Sequence, residues 1–340
     1  MRIVVDAMGS DHHPAPDVAG AVMAAREFGL EIVLVGDEAL IKPQLAQEDA
    51  AGLKIDVVHT DEYIHMDDHP AEAARVKKRS SMHVGMTLVK EGQADAFVTA
   101  GNTGGLLAVA TLHTLRRIEG VMRPALNVVF YVQGHYILLA DIGSNVDCKP
   151  EWLQQFALMS TIYAERVLKI ANPRVGLLAN GEEDVKGNEL TKKAAALIRE
   201  THLNFIGNVE PKEVLIAHAA DVVIQDGFVG NILIKTYGAT AELILNLMKE
   251  EAKRSPLVGL GLAVARPGLR SLKRQIDPME FGGAILLGVN GVVISAHGRS
   301  NARGIRSAVR VARDAVNGHV VDAIREGIAR YVAKPEATQA

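Results

Sequence analysis

Short apolar runs that are typical of β-strands alternate along this chain with stretches of helical periodicity. The runs are RIVVD, EIVLVGD, KIDVVHTD, ADAFVTAG, RVGLLANG, NFIGNVE and DVVIQDG. Such alternation predicts a mostly parallel sheet with helices on both faces, a three-layer α/β/α sandwich. Apolar residues make up 48% of the 340 residues, which is ample for one large core. We therefore predict a single large α/β domain over residues 1–333.

One segment departs from this alternation. Two apolar runs in NVVFYVQGHYILLADIG are separated only by Gln133 and Gly134, which predicts an antiparallel hairpin inserted among the parallel strands. Residues 301–332 have the apolar spacing of one or two helices. Residues 334–340 lack that spacing and are predicted to form a flexible tail.

Charge and cysteine content exclude several classes of protein. The net charge is −3, so no basic excess favours nucleic-acid binding. Cys148 is the only cysteine, which excludes an intramolecular disulfide and fits a reducing cytosol. The N-terminal MRIVVDAMGSD is too short an apolar run for a signal peptide, and no run approaches the roughly 18 apolar residues of a membrane span. We expect a cytoplasmic protein.

Polar residues and glycines follow nearly every predicted strand. They are Asp6, Gly36-Asp37, Thr99-Ala100-Gly101, Asp141-Ile142-Gly143, Asn180-Gly181, Gly207-Asn208 and Asp226-Gly227. Each of them alone is equally typical of a turn. Because parallel strands place their carboxyl ends at one edge of a sheet, we expect the set to surround one ligand cleft.

The segment TAGNTGGLLAVA, residues 99–110, is a glycine-rich turn between a strand and a helix. Its spacing matches neither GxGxxG nor GxxxxGK[ST]. The backbone N–H groups of Gly101 and Gly104, with Asn102 and Thr103, suit a phosphate or oxyanion at a helix N-terminus. The alternative is a tight turn in which Thr103 caps the helix. Two glycines at a helix start weaken the helix, which favours ligand binding.

Two further loops carry candidate residues, each with a structural alternative. KKRSS offers Ser80 and Ser81 beside cations, for a phosphate or as a solvated basic face. LADIGSNVDCKPEWL holds Asp141 and Asn145, and its Cys148 is more typical of a packing residue than of a nucleophile.

The remaining polar loops follow the later strands. NGEEDVKGNEL brings Lys186 as an anion ligand beside three acids, which cap a turn or, less readily given their spacing, hold Mg²⁺. DGFVGNILIK places Asp226, Asn231 and Lys235 around a second glycine-spaced turn. In AHGRSNARG, His297 is the best candidate for acid–base chemistry, with a structural hydrogen bond as the alternative.

Residues 249–278 form a basic and apolar segment. Leucines and valines alternate with Lys and Arg, and Pro256, Gly259, Gly261 and Pro267 interrupt any long packed helix. Such a mixture is typical of a segment lying on an anionic membrane surface, or of a partner contact. A dimer contact or a core helix with basic ends is the alternative.

Taken in order, the motifs resemble one family. They are VDAMGSDHHP, KKRSSMHVG, KEGQADAFVTAGNTGG, LADIGSNVDCKPE, NGEEDVKGNEL, FIGNVEP, QDGFVGNILIK, FGGAILLGVNG and AHGRS, between residue 1 and about 315. This order resembles the PlsX-type phosphate acyltransferases of bacterial phospholipid synthesis. The resemblance implies a fold similar to phosphate acetyltransferases and isocitrate dehydrogenases. It also implies transfer of a fatty acyl group from acyl carrier protein to inorganic phosphate, giving acyl phosphate, in a homodimer peripherally attached to the inner face of the membrane.

That reaction asks mainly for positioning and charge, because phosphate is a competent nucleophile and a thiolate a good leaving group. No metal or cofactor is expected. We predict that Asn102, Thr103 and Gly104 hold phosphate or the oxyanion, that Lys186 supplies charge, and that His297 protonates the leaving sulfur. The predicted catalytic set is Lys186, Asn102, His297 and Asp226. The predicted substrate-binding set is Asp6, Gly9, Ser80, Ser81, Gly101, Thr103, Gly104, Asp141, Asn145, Asn231 and Lys235.

Two other functions remain open from the sequence. One is an NAD- and Mg²⁺-dependent decarboxylating dehydrogenase on a related fold, for which the acids here are poorly spaced. The other is a non-catalytic ligand-sensing or membrane scaffold protein. Since acyl carrier protein is acidic, the basic residues of 249–274 or 75–79 are also candidates for docking it.

Overall fold

The computed structural model describes residues 1–269 and 278–332. All seven predicted runs form strands, and the described residues contain eleven. The strands are β1 Arg2–Asp6, β2 Glu31–Gly36, β3 Ile55–His59, β4 Ala96–Thr99, β5 Ala125–Val132, β6 His135–Ala140, β7 Val175–Leu178, β8 Phe205–Val209, β9 Val222–Ile224, β10 Ala284–Leu287 and β11 Val292–Ser295.

Helices connect most of these strands. They are α1 Ala15–Phe28, α2 Glu38–Leu45, α3 Pro70–Val76, α4 Ser81–Lys90, α5 Thr103–Ala108, α6 Pro150–Arg166, α7 Glu189–Arg199, α8 Gly227–Arg254, α9 Pro256–Val264, α10 Pro278–Phe281, α11 Ala302–Asn317 and α12 Val320–Val332. Two π-helical turns, Val109–His113 and Glu213–Ala217, continue α5 and follow β8. The predicted C-terminal helices are therefore two, and the predicted tail 334–340 lies outside the described residues.

The strands form a single sheet in the order β3-β2-β1-β4-β11-β10-β5-β6-β9-β7-β8. The strands from β3 to β11 are parallel to one another, and so are β6, β9, β7 and β8. Between these halves β10 and β5 pair antiparallel with their neighbours, which reverses the direction of the second half. The expectation that all strand ends meet at one edge is therefore wrong: the loops after β1, β4 and β11 lie at one edge, and those after β6, β7 and β9 at the other.

The predicted hairpin is confirmed and lies at the centre of this sheet. Val132 pairs with His135 across the two-residue turn, in which Gln133 and Gly134 have φ of 49° and 89°. Positive φ at both central residues is the geometry that two-residue hairpins need to match the twist of their strands.

Alternate side chains of each strand pack into different helical layers, which confirms the three-layer sandwich. Ile3 and Val5 of β1 belong to a core with α1, α6, α7, α11 and α12. Val4 belongs to a second core, on the opposite face, with α3, α4 and α5, against which Leu233 and Tyr237 of α8 pack. Burial of this apolar surface from water is the main force that holds both layers to the sheet.

The predicted segment 249–278 is helical over much of its described part. Residues 249–254 end α8, whose 28 residues span about 42 Å. Ser255 then caps α9, in which none of the described side chains is buried. Residues 270–277 of this segment lie outside the described residues.

Candidate functional site: a cavity between two loop clusters

The first loop cluster is built from the turns that follow β1 and β4. The Asp6 carboxylate accepts hydrogen bonds from the Thr99 hydroxyl at 2.7 Å and from the Met8 N–H at 3.0 Å. Complete burial raises the pKa of Asp6, although hydrogen bonds from Thr99 and Ser81 partly offset this. A Cβ on Gly9 would lie 2.7 Å from the Thr99 hydroxyl oxygen, so only glycine lets these turns approach. Asp6 therefore holds these turns together through hydrogen bonds, and Gly9 allows them to pack closely.

Both polar atoms of the Asn102 side chain, at the start of α5, form hydrogen bonds within the protein. Its Oδ1 accepts from the Gly105 N–H at 3.0 Å, so Asn102 caps the helix and the predicted alternative of a Thr103 cap is wrong. Its Nδ2 lies 3.1–3.3 Å from the carbonyl oxygens of His65, Met66 and Asp68. The donors left for an anion are the first-turn N–H groups of Thr103 and Gly104, which no helix carbonyl can reach.

Ser80 and Ser81 are both buried at the start of α4. The Ser80 hydroxyl lies 2.8 Å from Nδ1 of His83 and caps the helix. The Ser81 hydroxyl lies close enough to the Asp6 carboxyl to lower its pKa. Of the neighbouring cations, Lys77 pairs with Asp68 at 2.5 Å. Both hydroxyls therefore make contacts that stabilise the first loop cluster.

The second loop cluster surrounds Asp141, which is fully buried after β6. Its carboxylate accepts hydrogen bonds from the N–H groups of Leu126, Gly143, Ser144 and Asn145, and from the side chains of Ser144 and Asn145, at 2.7–3.2 Å. The Asn145 amide also donates to the Pro124 carbonyl at 2.8 Å. Asp141 thus fixes the loop that carries Ser144 and Asn145.

The N-terminus of α8 packs directly onto this loop. Asp226 caps the helix by accepting from the Val229 N–H at 2.7 Å, and burial raises the pKa of its carboxyl. Asn231 donates to the Ile142 carbonyl at 3.2 Å. A Cβ on Gly230 would lie 1.9 Å from the Asp141 carbonyl oxygen, so this approach requires glycine.

Cys148 is no candidate nucleophile. Burial raises the pKa of its thiol to about 12, and the charges of Asp141, Asp226 and Asp147 act in the same direction. At neutral pH the side chain is therefore an unreactive thiol. The prediction that it is a packing residue agrees with this environment.

His297 follows β11 and belongs to the first cluster. The Arg299 N–H donates to His297 Nδ1 at 3.1 Å, which places the proton of the neutral ring on Nε2. Partial burial lowers the pKa of His297, and the charges of Arg299 and of Lys235 lower it further, whereas Asp11 raises it. Lys235, on α8, therefore lies close enough to His297 to act on it electrostatically.

Lys186 lies in the loop after β7, at the same edge of the sheet as the second cluster. Its N–H donates to the Glu183 carbonyl at 2.9 Å and its side chain lies against Gly181, both in its own loop. Asp184 in that loop pairs with Arg199 of α7. No hydrogen bond or ion pair in the described part of the chain joins the Lys186 side chain to the other candidates. Within the same residues no three His, Cys, Asp or Glu side chains are grouped to hold a metal.

A cavity of about 650 Å³ connects the two clusters. Gly104 of the first cluster and Ser144 and Asn145 of the second line it together. Its wall follows α5 and the adjoining π-helical turn and ends in the segment 116–124. The lining residues are Gly104, Leu107, Ala108, Thr111, Leu112, Arg116, Arg117, Ile118, Glu119, Gly120, Val121, Arg123, Pro124, Ser144 and Asn145. Residues 107–124 were not predicted from the sequence, although LRRIEGVMRP at 115–124, after the helix that follows the glycine-rich turn, is a basic signal.

Solved structures with the same architecture include a phosphotransacetylase and a phosphotransacylase. A phosphotransacetylase from Streptococcus pyogenes superposes with a TM-score of 0.60 at 18% identity, covering 95% of this chain and 94% of that one. A branched-chain phosphotransacylase from Enterococcus faecalis V583 gives 0.55 at 16% identity, covering 92% and 99%. At such identities the likeness establishes the fold alone, the phosphotransacetylase-like α/β fold.

Sequence relatives then define the family. The family model described as "Fatty acid synthesis protein" matches residues 1–323. A protein named phosphate acyltransferase from Geobacillus thermodenitrificans (strain NG80-2) is 47% identical over 332 residues, covering 97% of this chain and 99% of that one. Another from Desulfitobacterium hafniense (strain DSM 10664 / DCB-2) is 45% identical over 336 residues, covering 99% and 100%. The chain belongs to this PlsX family and is an acyltransferase.

Proposed function

We propose that this enzyme transfers a fatty acyl group from the thioester of acyl carrier protein to inorganic phosphate, producing acyl phosphate for phospholipid synthesis. The observation that carries the proposal is the shared cavity, which is lined by Gly104 at the N-terminus of α5 and by Ser144 and Asn145 of the second cluster. Helix N-terminal N–H groups bind phosphate, and the wall beyond them is apolar enough for an acyl thioester.

The chemistry needs little acid or base. Phosphate has a second pKa of roughly 6–7, by analogy with phosphoserine, so much of it is dianionic at neutral pH. One phosphate oxygen forms a bond to the thioester carbon, the carbon–sulfur bond breaks, and the phosphate proton passes to the departing thiolate. The protein then has to position phosphate and stabilise the tetrahedral oxyanion. The N–H groups of Thr103 and Gly104 serve this purpose.

His297, in the loop after the neighbouring strand β11, is the proposed proton-bearing group. Since its ring is neutral with the proton on Nε2, it donates a hydrogen bond to the oxyanion or to the leaving sulfur. Asp6, Asp141 and Asp226 hold the loops in place, because their oxygens already accept hydrogen bonds from the protein. Asn102 is proposed to act through its backbone and through the cap that it supplies to α5.

Positive charge comes from Lys235 in this proposal, because Lys235 lies near His297. Lys186 remains the alternative cation predicted from the sequence. Lys235→Ala is expected to lower kcat/KM for acyl-phosphate formation by about 100-fold, since a charge-assisted contact to phosphate is worth up to about 3 kcal/mol. Lys186→Ala is the parallel variant, and Lys192→Ala on α7 is the control. If Lys186→Ala abolishes acyl-phosphate formation and Lys235→Ala does not, Lys186 supplies the positive charge.

The direct test is incubation of the purified protein with an acyl carrier protein thioester and labelled phosphate. Formation of acyl phosphate with stoichiometric release of thiol is the expected result. Absence of product with both acyl carrier protein and coenzyme A thioesters would overturn the proposal.

We also propose that the enzyme is a homodimer that attaches to the inner face of the membrane. Leu243, Ile244 and Leu247 lie on one side of α8 and are 58%, 53% and 57% exposed, which suits burial against a second copy. Leu257 and Val264 of α9 are 79% and 77% exposed. No helix in residues 1–269 and 278–332 is long and apolar enough to cross a bilayer, so attachment would be at its surface.

A further inference from the structure

The far end of the cavity is lined by three arginines. Arg116, Arg117 and Arg123 line it beyond the apolar wall that Leu107 and Leu112 form. We propose that this arginine end binds the phosphate of the thioester donor's phosphopantetheine handle. The inference rests on the proposed function and names the part of the donor that the cavity recognises.

Two of the three guanidinium groups at this end are held in place, and Glu119 carries the one carboxylate among the residues that line the cavity. Arg117 donates to the Met122 carbonyl, and Arg123 lies 4.9 Å above the centre of the Trp152 ring. None of the three forms an ion pair with a carboxylate in the described part of the chain. Guanidinium groups fixed in this way bind phosphate oxygens through paired hydrogen bonds.

The apolar wall explains why the anion should belong to a long handle. From Gly104 to Leu112 the helix runs for about 12 Å, at 1.5 Å per residue. α5 begins after β4 at one edge of the sheet, whereas Arg123 precedes β5, which starts at the opposite edge. A donor that fills the cavity must therefore put its thioester at the Gly104 end and a negative group at the arginine end. A phosphopantetheine thioester has this arrangement, with an uncharged arm between the two.

Three donors with the same acyl chain separate the possible roles of the arginines. They are the acyl carrier protein thioester, acyl-phosphopantetheine without the protein, and acyl-pantetheine without the phosphate. In the double variant Arg116→Gln/Arg123→Gln we expect kcat/KM for the first two donors to fall by about 10- to 100-fold, mainly through KM. The ratio between acyl-phosphopantetheine and acyl-pantetheine should shrink by the same factor.

Arg26→Gln/Arg166→Gln, at two exposed arginines of α1 and α6 on the opposite face of the sheet, controls for the same change in net charge. Loss of the same size with all three donors would overturn the inference and give the arginines a structural role. Loss confined to the carrier protein donor would also overturn it, since the arginines would then contact the carrier's surface. If the unchanged enzyme makes no acyl phosphate from any donor, it is the proposed function that fails.

Discussion

The imidazole of His297 is prepared by its immediate neighbours to donate a hydrogen bond. The Arg299 N–H occupies Nδ1, which leaves Nε2–H as the group free to donate. Positive charges nearby then favour the neutral ring over the imidazolium. A neutral imidazole can donate a hydrogen bond to an oxyanion at the pH at which phosphate is mostly dianionic. The neutral ring and the dianionic nucleophile are therefore present in the same pH range.

The pKa of His297 can be shifted in opposite directions by its two flanking charges. Arg299→Ala should raise the pKa of His297, because it removes a positive charge that disfavours the imidazolium. Asp11→Asn should lower it, because Asp11 favours the charged ring. NMR titration of the ring signals measures both variants against the unchanged protein, whose midpoint is expected below 6.5. A midpoint above 6.5, or equal shifts in both variants, would contradict this account.

Asp17 is a buried carboxyl that makes stability depend on pH. It accepts from the Ser10 hydroxyl at 2.5 Å, its Oδ1 has no partner among the described residues, and burial raises its pKa to about 8. The folded carboxyl is protonated where the unfolded one, near its ordinary 3.8, is ionised. Stability from this group is therefore complete below about pH 4 and is lost as the pH rises to about 8, by up to about 1.4 kcal/mol per unit.

Asp17→Asn should remove that slope, because the amide is shaped like the protonated carboxyl and can still accept from Ser10. Urea unfolding at pH 5.5 and at pH 8 is the measurement. We expect the unchanged protein to lose more stability over this interval than the variant does. Parallel losses in the two proteins would show that Asp17 is ionised in the folded state.

Individual site residues could be predicted from the sequence only as members of loops. Asp6 and Asp141 were found because carboxylates at strand ends are conspicuous. The roles of Asn102 and Ser80 could not be inferred, since they depend on partners such as His65 and His83 that only the fold brings near. Arg116 was missed because its segment has no strand before it and resembles a charged surface.

At the scale of elements, the start of α8 determines how the second loop cluster is held. Two glycines, Gly227 and Gly230, face the Asp141–Asn145 loop at distances that leave no room for a side chain. Farther along the same helix, Gly238 has nothing within 4 Å of the place its Cβ would occupy. Glycine is thus required for close packing at positions 227 and 230 but not at position 238.

Alanine substitutions at these two glycines should have opposite effects. Gly230→Ala is expected to destabilise the protein by more than about 2 kcal/mol, because its Cβ would meet a backbone oxygen that cannot move aside cheaply. Gly238→Ala should stabilise it by up to about 1 kcal/mol, through helix propensity and loss of unfolded-chain entropy. Chemical denaturation measures both. Similar effects of the two substitutions would mean that α8 does not pack on the loop as described.

Strands were predictable as elements because their apolar runs are short and bounded by turn residues. The direction of the second half of the sheet relative to the first could not be predicted. A set of parallel strands has the same sequence pattern whether it runs parallel or antiparallel to the rest of the sheet. β10 and β11 are not among the predicted strand runs, and these short strands, together with β5, place β6 and β9 antiparallel to β1. That reversal is why the two loop clusters meet through a cavity on the sheet's face and not at one edge.

At the scale of the whole molecule, the exposed apolar residues concentrate on the outer part of α8 and on α9. The positive charges there are partly balanced: Lys253 and Arg254 pair with Glu250 and Glu251 on the same helix. Surface ion pairs of this kind contribute little to stability but reduce the net charge offered to anionic lipids. Membrane attachment through this region would thus depend chiefly on burial of α9 side chains in the lipid interface.

Leu257→Asp/Leu260→Asp should therefore abolish flotation with vesicles that contain anionic lipid. Both side chains are more than half exposed, at 79% and 64%, so the variant should fold normally. Burial of each leucine is worth about 1.5–3 kcal/mol, and a carboxylate in its place opposes binding further. Leu40→Asp, at a 48% exposed leucine of α2, is the matched control and should float as the unchanged protein does. Unchanged flotation of the double variant would exclude α9 as the membrane contact, and a rise in KM for the carrier protein donor without a change in flotation would instead identify α9 as the place where that donor docks.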